Sequence, residues 1–387
     1  MTGVAFVSTY PPRRCGIATF TRDLANAVGD REIVAIHRTG DRILYPLEVT
    51  RLVQADDRSD YLRAADAVSA SGASVVSIQH EYGLFGGRDG EFILDFVDRV
   101  RVPSVATLHT VLRRPTATQR EVMMRLLDIT AAVVVMSEAA AELLREGYQA
   151  EPSRLRVIPH GVPDLPLAES NLHKPDFGLQ GRSVILSFGL LGPGKSYEHV
   201  IEAMARVRRD RPDALYVVLG ATHPNLIRTE GEKYRDRLIR AVNDLGLREH
   251  VVFVDRFVGQ EELGRWLQAA DVFVTPYPNL DQIVSGTLSY ALAAGRPVVS
   301  TPFAYASEVL SGGRGVLVEP DSRQGLAEAL VGLLDDGVRR REMGRRAYAF
   351  SRHMIWSEVG AAYRQLFSRV ALRSARSAEV PVLAANA

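Results

Sequence analysis

Four loops in this chain follow apolar runs and lead into helical stretches, where backbone amides, hydroxyl side chains or fixed charge can hold a ligand. In Ser8-Thr9-Tyr10-Pro11-Pro12-Arg13-Arg14-Cys15-Gly16-Ile17-Ala18-Thr19 a proline pair turns the chain. There Gly16 lets backbone approach a ligand, and Arg13 and Arg14 add positive charge. The segment Gly189-Leu190-Leu191-Gly192-Pro193-Gly194-Lys195-Ser196 matches the phosphate-loop pattern G-x-x-x-x-G-K-[ST] between an apolar run and a helical stretch. Pro193 weighs against a wrapped cradle, because it removes a backbone donor directly before Gly194. Asp255, after the apolar run 251–254, is the aspartate a nucleoside triphosphatase would pair with that loop. In the third loop, residues 276–287, Ser285-Gly286-Thr287 opens an apolar helix over 288–294 and exposes N–H and hydroxyl donors. The fourth, residues 301–308, places Glu308 at a predicted helix start, where a carboxylate complements the helix dipole.

His80 and His109 each follow an apolar run, at the carboxyl end where open α/β sheets bind ligands. That equivalence predicts a functional role for at least one of them. Their separation, and the lack of an accompanying carboxylate–histidine cluster, predicts no metal site, and no Ser-His-Asp arrangement stands out. Cys15 is the one cysteine, so neither an intramolecular disulfide nor a cysteine-based zinc cage can form. It reads as a small packing residue in a reducing compartment.

The elements that hold these loops are short apolar runs alternating with helical stretches. The runs lie at 4–8, 33–36, 75–78, 105–108, 133–136 and 155–158, then at 184–188, 215–219, 251–254, 272–275, 298–300 and 315–318. Such runs signal parallel sheets covered by helices on both faces. Twelve are too many for one ordinary sheet, so the pattern predicts two doubly wound Rossmann-like domains of six strands each. The expected boundaries are 1–165 for the first domain, completed by a C-terminal helix at about 355–370, and 175–354 for the second. A proline- and glycine-bearing connector at 163–182 separates them, and a loose tail is expected over 371–387.

Lys plus Arg total 47 and Asp plus Glu total 46, so the chain lacks the basic excess of an electrostatic nucleic-acid binder. Hydrophobic residues at 46% support large cores and exclude a disordered chain. No apolar run approaches membrane-spanning length and the first residues lack the pattern of a signal peptide, so a cytoplasmic enzyme is expected. The basic segment Arg339, Arg340, Arg341, Arg345 and Arg346 reads as a solvated helix face, with at most peripheral membrane contact.

From Tyr10 to about Phe367 the constellation resembles glycosyltransferase family 4, retaining nucleotide-sugar-dependent enzymes of the GT-B fold, whose two domains face a cleft. The resemblance gives Gly16 to the loop facing donor phosphates and His109, in Thr107-Leu108-His109-Thr110, to the reacting sugar. His160-Gly161-Val162-Pro163-Asp164 approximates the family's interdomain N-G-V-D turn. Its G-R-L…K-G loop corresponds to Gly189-Leu190-Leu191…Lys195-Ser196, with the lysine kept and the arginine replaced by Leu190. Its late glutamate corresponds to Glu308. The family's two glutamates eight positions apart fall on Gln282 and Tyr290, a departure that leaves a sugar-hydroxyl partner at Gln282 but no charge.

The resemblance implies hexosyl transfer, with retention, from a GDP- or UDP-sugar to a glycan, lipid-linked or other hydroxyl acceptor, without metal or other cofactor. It assigns catalytic roles to His109, Lys195 and Gln282, and donor contacts to Gly16, Lys195, Ser285, Gly286, Thr287 and Glu308. Arg14 and His80 are candidates for acceptor or sugar contact. The competing readings are a phosphate-loop triphosphatase or kinase using Gly189–Ser196, and a catalytically silent sugar-nucleotide binder.

Overall fold

The computed structural model describes residues 3–38 and 40–379. They divide into two compact units, Met1–Gly161 with Trp356–Ala387, and Val162–Ile355.

The first unit is built on a seven-stranded sheet. Its strands are β1 (Val4–Ser8), β2 (Arg31–His37), β3 (Val49–Gln54), β4 (Val75–His80), β5 (Ser104–Leu108), β6 (Ala132–Val135) and β7 (Leu155–Val157). They lie in the order β3-β2-β1-β4-β5-β6-β7, with every pair parallel. β1, β4, β5 and β6 are buried along their whole length, as expected of strands covered on both faces. The count of six corrects to seven. The added strand, β3, pairs only with β2 and exposes Thr50, Arg51 and Leu52, so its sequence carries no continuous apolar run.

The helix Trp356–Glu379 returns to this unit. Gly360 packs against Ala27 of the helix Gly16–Val28 so closely that an added Cβ would stand 2.6 Å from the Ala27 Cβ. Tyr363 bonds Thr107 at 3.0 Å, and Phe367 meets Phe6 edge-on. The expected loose tail corrects over 371–379, which continue the helix because the alanines and arginines there are strong helix formers. Residues 380–387 lie outside the described ones.

The second unit holds β8 (Ser183–Phe188), β9 (Ala214–Leu219), β10 (Val251–Val254), β11 (Val272–Thr275), β12 (Val298–Ser300) and β13 (Gly315–Leu317). Their order is β10-β9-β8-β11-β12-β13, again all parallel. Alternation along β8 sends Val184 and Leu186 into one core and Ile185 into the other, so both faces are dry.

Each sheet reverses its winding once, between β1 and β4 and between β8 and β11. Doubly wound sheets bind ligands beyond the carboxyl ends of the strands at this reversal. His80 ends β4, and the loops after β1, β8 and β11 carry Gly16, Lys195 and the residues 276–287.

Candidate functional site

In the second unit the loop after β8 brings Lys195 to the loop after β11. An ammonium has no lone pair, so Lys195 donates to the Tyr277 hydroxyl, with Nζ 2.7 Å from Oη. The phenol proton is then directed to Thr287 Oγ1 at 2.7 Å, and Thr287 reaches Ser285 Oγ at 3.1 Å. Ser285 caps the helix Gly286–Ala293 by accepting the Leu288 N–H. Among the described residues nothing bonds the N–H groups of Gly286 and Thr287, the first two of that helix.

Lys195 also lies 4.0 Å from the centre of the Tyr277 ring, whose other neighbour is Phe303, stacked at 5.3 Å. Burial raises the Tyr277 phenol, but the Lys195 charge and the hydrogen bonds outweigh it and bring the phenol below its ordinary value. The result is a charged lysine, held by a buried tyrosine, beside two unpaired amides of a helix N-terminus. Helix N-termini with free amides and a neighbouring cation are the kind of place where proteins hold anions.

The glycines that shape this loop are fixed by backbone approach. Gly220, at the end of β9, has φ +150°, and a Cβ there would lie 2.0 Å from the Gly189 carbonyl oxygen. Only a residue without Cβ lets the two strand exits cross.

In the first unit His109 Nε2 lies 3.0 Å from Gln79 Oε1, while Gln79 Nε2 donates to Ser77 Oγ at 3.2 Å. That chain assigns the proton to Nε2 and leaves the Nδ1 lone pair without a partner among the described residues. Burial, then the neighbouring His160 and His80, brings His109 down to about 3, so it is neutral at physiological pH and a weak base. Phe20 presents its ring edge-to-face to His109 at 4.9 Å, His160 at 5.0 Å and Trp356 at 5.3 Å, and fixes all three. His160 bonds the Gly161 carbonyl at 2.8 Å.

His80 ends β4 but is fully buried, between Tyr82 and Phe85, and neither ring nitrogen has a partner among the described residues. In this position it supports the strand end and cannot itself meet a sugar or acceptor. Burial depresses its pKa to about 4, against the ordinary 6.5. Between those values the unfolded chain binds the proton and the folded one does not, so stability falls as pH drops through that window. His80 alone accounts for about 2 kcal/mol lost between pH 7.5 and 5. We expect His80→Leu to leave stability at pH 7.5 nearly unchanged and to reduce the acid loss of the first unit by about that amount. Denaturant unfolding followed at the two pH values measures this, and an unchanged pH slope would refute it.

Two models of one glycosyltransferase group match the halves of the chain in turn. Residues 15–164 match Glycosyltransferase Family 4, and residues 182–336 match Glycosyl transferases group 1. The chain belongs to the family 4 glycosyltransferases. Among its relatives, D-inositol 3-phosphate glycosyltransferase of Paenarthrobacter aurescens is 29% identical over 69% of this chain and 68% of that protein. GDP-mannose-dependent alpha-(1-6)-phosphatidylinositol monomannoside mannosyltransferase of Mycolicibacterium smegmatis is 33% identical over 50% of this chain. The chain spans about half the length of the second relative. Sucrose-phosphate synthase from Thermosynechococcus elongatus shares the fold with a TM-score of 0.80, at 19% identity over 96% of this chain and all of that one. Anabaena HepE, solved with UDP, gives 0.75 at 16% identity over 95% of this chain and all of that one. The fold is GT-B.

The phosphate-loop reading of this glycosyltransferase does not survive the geometry. A phosphate cradle needs free amides, yet the N–H groups of Gly189, Leu191, Lys195 and Ser196 bond Leu219, Ala221, Gly192 and Pro193 carbonyls. Leu191 instead bridges to Thr222, and the expected magnesium-side aspartate, Asp255, is paired with Arg235 at 2.6 Å.

The remaining expected residues divide. Gly16 opens its helix exposed, with Cys15 at the N-cap, and Arg14 is exposed nearby in sequence. Gln282 turns its amide onto the Val284 carbonyl at 2.8 Å, which leaves its Oε1 available, and Tyr290 is packed beside Phe188. Glu308 corrects: the helix runs Ala304–Val309, so Glu308 stands in its last turn and not at its start. Among the described residues no cluster of three or more metal-ligating side chains is present, and no helix is long and apolar enough to cross a membrane. Tyr277 and Gln79 were absent from the expected set. Tyr277 sits between two prolines directly after an apolar strand, a sign that its ring is held in place.

Proposed function

We propose that the enzyme transfers a hexosyl group with retention from a nucleoside-diphosphate sugar to a hydroxyl acceptor, with protein groups carrying the diphosphate charge. The observation that supports this most is the Lys195–Tyr277–Thr287–Ser285 chain beside the free amides of Gly286 and Thr287. In the reaction the bond from C1 to the β-phosphate oxygen breaks and its electron pair stays on the diphosphate. Lys195 and the helix N-terminus stabilise that growing charge from fixed positions.

Retention places the incoming hydroxyl on the face the diphosphate leaves, so a leaving-group oxygen can accept the hydroxyl proton as the new C1–O bond forms. A strong protein base is then unnecessary, which suits a His109 held down to about 3. His109 accepts a sugar or acceptor hydroxyl through Nδ1, and Gln79 keeps its ring in the required tautomer. Gln282 Oε1 accepts a second sugar hydroxyl, and Gly16 and Arg14 serve the acceptor side.

The relatives' names put GDP-mannose first among donors and inositol phosphates first among acceptors to be tried. Incubation with GDP- and UDP-sugars in EDTA should release nucleoside diphosphate, faster with acceptor present, and the product should keep the donor's anomeric configuration by NMR. Inverted product, or turnover restored only by magnesium, would refute the proposal.

A further inference from the structure

A cavity of about 420 Å³ lies at the opposite ends of the strands in the second unit. Its lining includes Ser183, which starts β8, Asp271, directly before β11, and Pro297, directly before β12. Lys195 and Tyr277 follow the carboxyl ends of β8 and β11, so the length of β8 alone separates the two places by about 17 Å. The volume falls in the range of about 300–1,000 Å³ typical of small-molecule pockets.

Its lining is cationic. Lys174, Arg182, Arg296, Arg340, Arg341 and Arg345 contribute against two carboxylates, Glu169 and Asp271. Asp271 is already committed: it pairs with the buried Lys174 at 2.8 Å and accepts from Ser170 and the Val184 N–H. Arg296, itself buried, is held by the carbonyls of Ala168, Gln268, Ala270 and Ala294, with no carboxylate bonded to it. Arg341 and Arg345 stand one turn apart on the helix Gly337–Ser351, and among the described residues neither makes an ion pair or hydrogen bond. Two like charges at that spacing repel, and Arg340 adds a third beside them. An anion removes this conflict.

The lining contains no aromatic ring on which a base could stack, but Asn171 and Glu169 offer partners for hydroxyl groups, while the Ser183 hydroxyl is already taken by Asp213 and Arg211. We infer that this cavity binds a phosphorylated sugar or polyol, with its phosphate on Arg341 and Arg345 and its hydroxyls toward Asn171 and Glu169. The same chemistry exists free and as an inositol lipid headgroup. Arg341 and Arg345 are exposed, so either source can reach them.

Isothermal titration with glucose 6-phosphate, inorganic phosphate and glucose tests this on wild type, R341A/R345A and K195A. Both arginines are exposed, so their removal leaves folding intact. Glucose 6-phosphate should bind wild type and K195A alike and R341A/R345A at least about 10-fold more weakly, the loss of two charge-assisted hydrogen bonds. Phosphate should bind more weakly than the sugar phosphate, and glucose not at all. No saturable binding to wild type, or binding lost in K195A and kept in R341A/R345A, would overturn the inference. Binding only to phosphatidylcholine vesicles containing phosphatidylinositol, with none to glucose 6-phosphate, would overturn binding of a free sugar phosphate in favour of a membrane headgroup.

Discussion

Replacing Lys195 by Ala should lower kcat by about 10²- to 10³-fold, the usual effect of removing one fixed donor from a developing oxyanion. The substitution removes the one charge in the chain from Lys195 to Ser285, and leaves the buried Tyr277 phenol without the donor that holds it. The fold should survive, because Lys195 stands in a short turn after β8 and only partly buried. Tyr277→Phe should act in the same direction and more mildly: the ammonium remains, but its position is no longer fixed. Steady-state kinetics separates the two roles. A Lys195→Ala enzyme with kcat within a few fold of wild type would show that the charge acts elsewhere.

The second large effect is structural. Gly220→Ala should destabilise the second unit by about 3 kcal/mol or more, since both the positive φ and the contact with the Gly189 carbonyl oppose a Cβ. That contact sets the exit of β8, so surviving protein should also bind the donor diphosphate poorly. Gly192→Ala, in the neighbouring loop after β8, is the matched control. Its φ of −173° is ordinary extended backbone, and an added Cβ would meet only the tip of Leu226 at 3.4 Å. It should change stability by less than about 1 kcal/mol. Unfolding midpoints for the two variants measure the contrast, and equal losses would contradict the crossing as the reason for Gly220.

Strands buried on both faces were legible in the sequence because their apolar runs are continuous, as in β1, β5 and β8. β3 escaped because an edge strand with Thr50 and Arg51 exposed has no such run. Glu308 was misplaced by one helical turn because Phe303, which precedes its helix, gives no side-chain cap to mark the start.

Lys195, Ser285 and Thr287 could be picked out locally, since each belongs to a loop with its own signature. Tyr277 could not, because its role comes from a lysine 82 positions away. The cationic cavity is further from reach still. Lys174, Arg182, Arg296 and Arg341 come from separate segments that only the amino ends of the strands bring together.

Lys195 and the Gly286 helix start are proposed to hold a diphosphate without metal. Calorimetric binding of GDP, GMP, UDP and UMP to wild type and Lys195→Ala in EDTA tests that most directly. Wild type should bind one nucleoside diphosphate at least about 10-fold more tightly than its monophosphate, and the variant should lose most of that preference. A preference kept in full by the variant, or no diphosphate binding unless magnesium is added, would contradict it.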